Sequence, residues 1–241
     1  MKSTILISLL SIALIISCSC EKEIQPSRGI QEFPLSKGAY WVYQGNTKWT
    51  KRDLSGEVIE RTLTWKMEVV DTITRGHVYA AVLKGHPGDL NFYHEGKEPG
   101  DYLIIRVGRE KYYILDGKAM KRPLGILRRE GNFLGGLVRE SQLFLDLPLN
   151  PGKVFGESGH VTRQDRSYCW FVENEQPVEL KEVKGISSKG KMFQYRLVFD
   201  TVPWYEIIEF VLGVGITRYT FFHHGTVSET DLRLIEYHKG S

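Results

Sequence analysis

Thr62-Leu63-Thr64-Trp65-Lys66-Met67-Glu68-Val69 alternates without a slip. Leu63, Trp65, Met67 and Val69 fall on one face of an extended chain, and Thr62, Thr64, Lys66 and Glu68 on the other. Successive side chains of a strand point to opposite sides, so this stretch predicts a sheet with one buried and one wet face. A second stretch repeats the pattern, with Phe193, Tyr195, Leu197 and Phe199 opposing Gln194, Arg196 and Val198. Around both, β-branched and aromatic runs are cut by glycine, proline and Asx turns.

Working outward, strands are expected over residues 39–51, 77–83, 102–107 and 111–116. Further strands are expected over 154–161, 168–175, 178–186, 192–202, 204–212, 216–224 and 226–237, with a turn at Ser187-Ser188-Lys189-Gly190. Residues 118–146 carry Gly125, Gly131, Gly135 and Gly136 and read as a loop, with 133–144 the stretch able to offer a short helix. No long segment has helical periodicity, which disfavours parallel α/β folds. The expected fold is all-β, a single domain of curved antiparallel sheet forming a half-barrel or barrel.

Two places share a local signature. Pro34-Leu35-Ser36-Lys37-Gly38-Ala39-Tyr40-Trp41 matches Pro148-Leu149-Asn150-Pro151-Gly152-Lys153-Val154-Phe155 in proline, leucine, glycine and the closing aromatic. Proline ends one element, glycine supplies a conformation other residues resist, and the aromatic pins the next strand to the core. Two similar halves, or independent use of one good strand-entry turn, both produce this echo.

The N-terminus decides location. Lys2 is followed by an apolar segment over residues 5–16, too short to span a bilayer and of the length of a secretory signal. Ile15-Ile16-Ser17-Cys18 resembles a bacterial lipobox, which implies cleavage after residue 17 and acylation of Cys18. Residues 1–17 are then a signal peptide, 18–32 a lipidated cysteine with a polar tether holding Pro26 and Gly29, and 33–241 the β-rich domain. Ser19 resembles an outer-membrane sorting signal, and Glu21 and Glu23 leave cell-surface display open. With the opening motif at Pro34, Gly213-Val214-Gly215-Ile216-Thr217-Arg218 and the ending Leu234-Ile235-Glu236-Tyr237, the chain is similar to uncharacterised bacterial lipoproteins with PLxxGxxW and GVGxxR patterns. That resemblance implies a curved antiparallel sheet and brings no catalytic residues with it.

Composition narrows the function. Removing residues 1–17 leaves 224 of 241 residues, 41% of the full chain is hydrophobic and 12% aromatic, so a sizeable core is available without disulfide staples. A formal charge of +3, less Lys2 after processing, lacks the basic excess of nucleic-acid binders. Of three cysteines, Cys169 lies in the apolar run Tyr168-Cys169-Trp170-Phe171 and reads as a buried free thiol, with a disulfide to Cys20 as the alternative.

No catalytic constellation assembles. HExxH and GxSxG are absent, Ser188-Lys189-Gly190-Lys191 fits SxxK but sits in an expected turn, and the GVG turn lacks a following helix. His86 and His94, near Asp89 and Glu95, read as exposed loop histidines rather than metal ligands. His223 and His224 point to opposite faces of one strand. Glu173 and Glu175 read as two acids on a wet face, and Glu206 and Glu209 as facing opposite ways. Lys118, Lys121, Arg122, Arg128 and Arg129 read as a solvated basic loop that could rest on anionic headgroups. The aromatics lead the binding argument. If the sheet wraps a groove, Trp65, Trp170, Phe193 and Tyr195 are its candidate ligand-binding residues. The expectation is a non-catalytic binding or scaffold protein of the bacterial envelope, held to its membrane by the N-terminal lipid, with an envelope protein as possible partner. The alternative is a carrier of a hydrophobic ligand or lipid. No cofactor or metal is expected.

Overall fold

The computed structural model describes residues 33–51, 53, 55–129, 136–139, 141–186 and 192–240. The signal peptide, Cys18, Cys20, the tether and the SxxK stretch lie outside these residues. Twelve strands run in order: β1 (Tyr40–Thr50), β2 (Val58–Arg75), β3 (Val78–Lys84), β4 (Asp101–Val107), β5 (Lys111–Asp116), β6 (Gln142–Asp146), β7 (Val154–Gly156), β8 (Cys169–Val178), β9 (Met192–Asp200), β10 (Trp204–Val211), β11 (Gly215–His223) and β12 (Ser228–His238). They form one antiparallel sheet in the order β6-β5-β4-β3-β2-β1-β12-β11-β10-β9-β8-β7, a nearly closed barrel. β1 pairs with the last strand, β12, so the ring is sealed there. The seam falls between β6 and β7, which are neighbours in sequence and are not hydrogen-bonded to each other.

The alternation that begins at Thr62 does its work in β2. Trp65, Met67 and Val69 are buried and face inward, while Thr62, Thr64 and Lys66 are exposed. The outer wall is wet: Lys66 meets Glu68, Lys48 meets Glu229, and Arg218 grips Asp231 with two bonds of 2.8 and 2.9 Å. Charge outside and apolar side chains inside is the reverse of a lipid-facing barrel. No helix among the described residues is long and apolar enough to cross a membrane.

Each half of six strands opens with the same turn. In the first, Ala39 N–H donates to Ser36 O at 3.0 Å, and Gly38 and Ala39 exchange bonds of 2.9 and 2.8 Å with Val69. In the second, Lys153 N–H donates to Asn150 O at 3.0 Å, and Gly152 and Lys153 exchange bonds of 2.8 and 2.9 Å with Val172. Val69 and Val172 are each followed by a bulge in their strand. Leu35, Leu149, Trp41 and Phe155 are all buried. The echo in the sequence is therefore a repeated three-dimensional unit.

The N-terminal segment fills the barrel at this turn. Phe33 packs against Trp41, Phe210, Tyr112 and Phe144 at centroid distances of 5.6, 5.4, 6.3 and 6.3 Å. The GVG turn accommodates it: a Cβ on Gly215 would lie 2.7 Å from the Phe33 ring. Trp41 Nε1–H donates to Val214 O at 2.6 Å, so the opening motif and the GVG turn bind each other.

Several expectations shift. Residues 118–146 hold a helix, α1 (Lys121–Arg128), and the strand β6, rather than a helix within 133–144. Pro123 sits in the first helical turn, where its missing N–H costs nothing. Leu127 turns inward with Met120 and Leu137 onto the outer face of β3–β5, against Val78, Ala80, Val82, Leu103 and Ile105. That second core explains why β3, Val-Tyr-Ala-Ala-Val-Leu-Lys, reads as a nearly continuous apolar run. The basic residues from Lys118 to Arg129 lie on exposed ground at and around this helix, and Arg128 reaches Asp71 at 3.3 Å.

The strand expected over 154–161 stops at Gly156, whose φ of 147° turns the chain into the single helical turn α2 (Ser158–Val161). The strands expected over 168–175 and 178–186 are one, β8, ending at Val178. Pro177 is tolerated because β7 is only three residues long, leaving that part of β8 an edge. Residues 179–186 leave the sheet, bury Leu180 and Val183, and bridge Lys184 to Glu236 on β12.

Candidate ligand cavity

The β3–β4 connection does not skirt the barrel; it folds into it. After Gly85 the chain forms a short 3-10 turn, Pro87–Leu90, capped by His86. Leu90 is fully buried, and its carbonyl accepts from Thr230 Oγ1 at 3.1 Å. Phe92 N–H donates to Ser228 Oγ at 2.9 Å. Asp89 is buried and held on both oxygens, by Gly100 N–H at 2.9 Å and the Tyr102 hydroxyl at 2.8 Å. Burial pushes its carboxyl above the ordinary range, and these two bonds oppose the push.

Beside this plug lies a cavity of ≈ 310 Å³, lined by His86, Asn91, Tyr102, Asp116, Gln142, Phe144, Trp170, Glu206 and Tyr219 among others. His86 is 5% exposed, which corrects the expectation of a loop histidine on the surface. Its Nδ1 accepts from Gly88 N–H at 3.1 Å, so the neutral ring carries its proton on Nε2, and Nε2 finds no partner among the described residues. Burial drives the imidazole down to about 4, so it is neutral at physiological pH. Trp170 is 2% exposed, and its Nε1–H likewise has no acceptor among the described residues.

Glu206 stands on the same face of β10 as the buried Ile208 and Phe210. Burial raises its carboxyl to about 7, and the neighbouring Tyr219 hydroxyl opposes the rise. The Tyr219 proton goes to Asn91 Oδ1 at 2.9 Å, which ties β11 to the plug on the wall of the cavity. Glu209 meets Gln194 and Arg218 on the other face, as its spacing from Glu206 requires.

A second cavity, ≈ 360 Å³, lies at the seam. Leu143 of β6 and Gly156 of β7 line it, with Arg139, Glu157, His160 and Tyr168. It shares Gln142 and Trp170 with the inner cavity, so these two side chains stand between the seam and the barrel interior.

Of the aromatic candidates from the sequence, Trp170 lines both cavities. Trp65 is buried in the wall with Nε1–H on Gly85 O at 3.0 Å. Tyr195 is buried with its hydroxyl on Glu175 at 3.1 Å, and Phe193 packs partly buried against the core. These three line neither cavity. Sequence reasoning read His86 as an exposed loop residue, noted of Glu206 only that it faces away from Glu209, and gave Asn91 and Tyr219 no binding role. A carboxylate in the apolar strand Trp-Tyr-Glu-Ile-Ile-Glu-Phe-Val was the available signal. Among the described residues, no three His, Cys, Asp or Glu side chains converge as metal ligands. Cys169 is buried and free, its thiol donating to Arg166 O at 3.0 Å.

No family model matches the chain, and no curated protein matches it. Two solved structures are similar in outline. One is a presumed exported protein with a YmcC-like fold from Bacteroides fragilis, 10% identical, covering 86% of this chain and 98% of its own, with a TM-score of 0.37. The other is a presumed lipoprotein from Parabacteroides distasonis, also 10% identical, covering 86% and 97%, with a TM-score of 0.34. The scores are low, and the architecture described above rests on this chain's own strand pairing.

Proposed function

We propose that this protein is a lipid-anchored protein of the bacterial envelope with a non-catalytic binding role, exercised through the barrel cavity. Its membrane partner is the bilayer that holds the acyl chains of Cys18, since a multiply acylated cysteine holds a membrane far more firmly than one chain does. The observation that carries the binding role is the cavity of ≈ 310 Å³ itself, where Glu206, Asn91, Gln142 and Asp116 gather beside the buried rings of His86 and Trp170.

The same polarity argues against a purely apolar cargo. A hydrocarbon chain in this space would set the Glu206 carboxyl, which lines it, against an apolar neighbour. Native mass spectrometry of the full chain, extracted gently from its own membranes, tests the role. A bound small molecule that is lost in Glu206→Ala supports it. A lipid adduct would favour the carrier alternative, and a bare mass from every preparation would remove the binding reading.

A further inference from the structure

We propose that the exposed face of α1 is a docking surface for an anionic phospholipid bilayer, set beside the point where the N-terminal segment enters the domain. Docked there, it turns this side of the barrel towards the membrane. The proposal is separate from the cavity and shares with the reading above only the lipid anchor. The first ground is charge. Residues 117–129 hold Lys118, Lys121, Arg122, Arg128 and Arg129 and no acid. The whole chain has 32 basic against 29 acidic residues, an excess of +3, so these five outweigh it and the remainder leans acidic.

The second ground is the helix, which gathers these cations on one side. All five are exposed, whereas Pro123 and Leu127 are buried against the barrel. Lys121 and Arg128 lie two helical turns apart and so share a face. A Cβ on Gly125, between them, would meet nothing within 4 Å, so the middle of that face lies open among the described residues. Arg128 pairs with Asp71, while Lys118, Lys121 and Arg129 make no ion pair with a described residue. A cation near an anionic surface strengthens association about fivefold, and three act together on the order of a hundredfold.

The third ground is position. Asp71 joins the entry of the domain to the end of α1, with one carboxylate oxygen 4.0 Å from Lys37 Nζ and the other 3.3 Å from Arg128 Nη2. Leu35 O accepts from the Tyr79 hydroxyl of β3 at 2.7 Å, and β3 carries α1 on its outer face. The basic face therefore stands where the chain arrives from Cys18. Residues 18–32 reach at most about 50 Å, which bounds the distance to the bilayer and leaves the choice of facing side to the surface of the domain. A surface held that close meets the membrane at high effective concentration, so a modest attraction is enough to orient it.

The test uses the full chain as extracted from cells, with Cys20→Ser and with Gly125→Cys carrying an environment-sensitive dye; Cys169 is buried. It is reconstituted into vesicles of phosphatidylcholine, or of equal parts phosphatidylcholine and phosphatidylglycerol. A blue shift of the dye is expected in the anionic vesicles alone. The shift should vanish when Lys118→Glu and Lys121→Glu are combined, and at about 1 M salt, where screening shortens to about 3 Å. The same dye at Gly159→Cys on α2, an exposed glycine with equally open surroundings, should not shift. Equal emission in both vesicle types overturns the docking face, as does a shift that survives the charge reversal or appears equally at both dyes. A shift with soluble heparin and none with anionic vesicles overturns the bilayer as its partner. Flotation separates this result from the anchor. Failure to float with phosphatidylcholine removes the anchor, and the emission in anionic vesicles still decides the face.

Discussion

Gly38 and Gly152 occupy the same point in the two halves of the barrel, with φ of 80° and 88° and the same backbone bonds to Val69 and Val172. A Cβ at either would meet nothing within 4 Å, so the cost of a side chain there is the left-handed backbone alone. Gly38→Ala and Gly152→Ala should each lose about 1–2 kcal/mol in denaturant unfolding. Gly45 differs. A Cβ there would lie 1.9 Å from the Asp231 carbonyl on β12, so Gly45→Ala must spread the β1–β12 closure. It should cost more than either turn variant, and equal losses for all three would show that this approach is not tight.

Glu206 gives the barrel a pH dependence of known sign. Its carboxyl titrates at about 7 in the folded chain against an ordinary value of 4.5. Between those values the unfolded chain has released its proton and the folded chain has not, so stability falls as pH rises and levels off above 7. Glu206→Gln should remove that slope, gaining stability relative to wild type at pH 8 by up to about 3 kcal/mol and little at pH 4. Urea unfolding at the two pH values checks it, and a gain of equal size at both would place the effect in packing rather than charge.

His86 acts in the opposite sense. Its folded value of about 4 lies below the ordinary 6.5, so the unfolded chain binds a proton that the folded chain refuses. Stability is full above pH 6.5 and is lost as pH falls towards 4. His86→Asn keeps an acceptor near Gly88 N–H and should abolish that acid loss. In the wild type, an imidazole resonance for His86 that titrates near 6.5 would contradict the burial.

Arg75 holds the outer helix by its end. Its guanidinium donates to Ile126 O at 3.0 Å, Leu127 O at 3.4 Å and Arg129 O, the carbonyls at the close of α1. Carbonyls in the last turn of a helix lack i+4 partners, and a cation there is favoured by the helix dipole. Arg75→Met should cost about 1–3 kcal/mol and raise hydrogen exchange over α1 while leaving β10–β12 protected. Uniform loss of protection would mean the helix is part of the main cooperative unit.

The anchor is tested by labelling. Cells fed an alkyne fatty acid should label the wild-type chain, and Cys18→Ser should abolish the label. A label that persists with only Cys20 remaining would move the site to that cysteine.

The strand class was readable because period-two burial is local: Leu63 to Val69 and Phe193 to Phe199 carry their own inside and outside, whatever pairs with them. The repeated turn was readable for the same reason, since Gly38 and Gly152 answer to backbone conformation at one residue. Tertiary structure alone decided that β1 pairs with β12 and leaves the seam at β6 and β7, because register between the first strand and the last leaves no local mark. It also decided the cavity. His86, Asn91, Glu206 and Tyr219 come from three separate elements, and the desolvation that shifts His86, Glu206 and Tyr219 arises only when the plug closes over them. A sequence shows a histidine after a glycine and an acid in a strand; desolvation, which makes them a site, is a property of the assembled barrel.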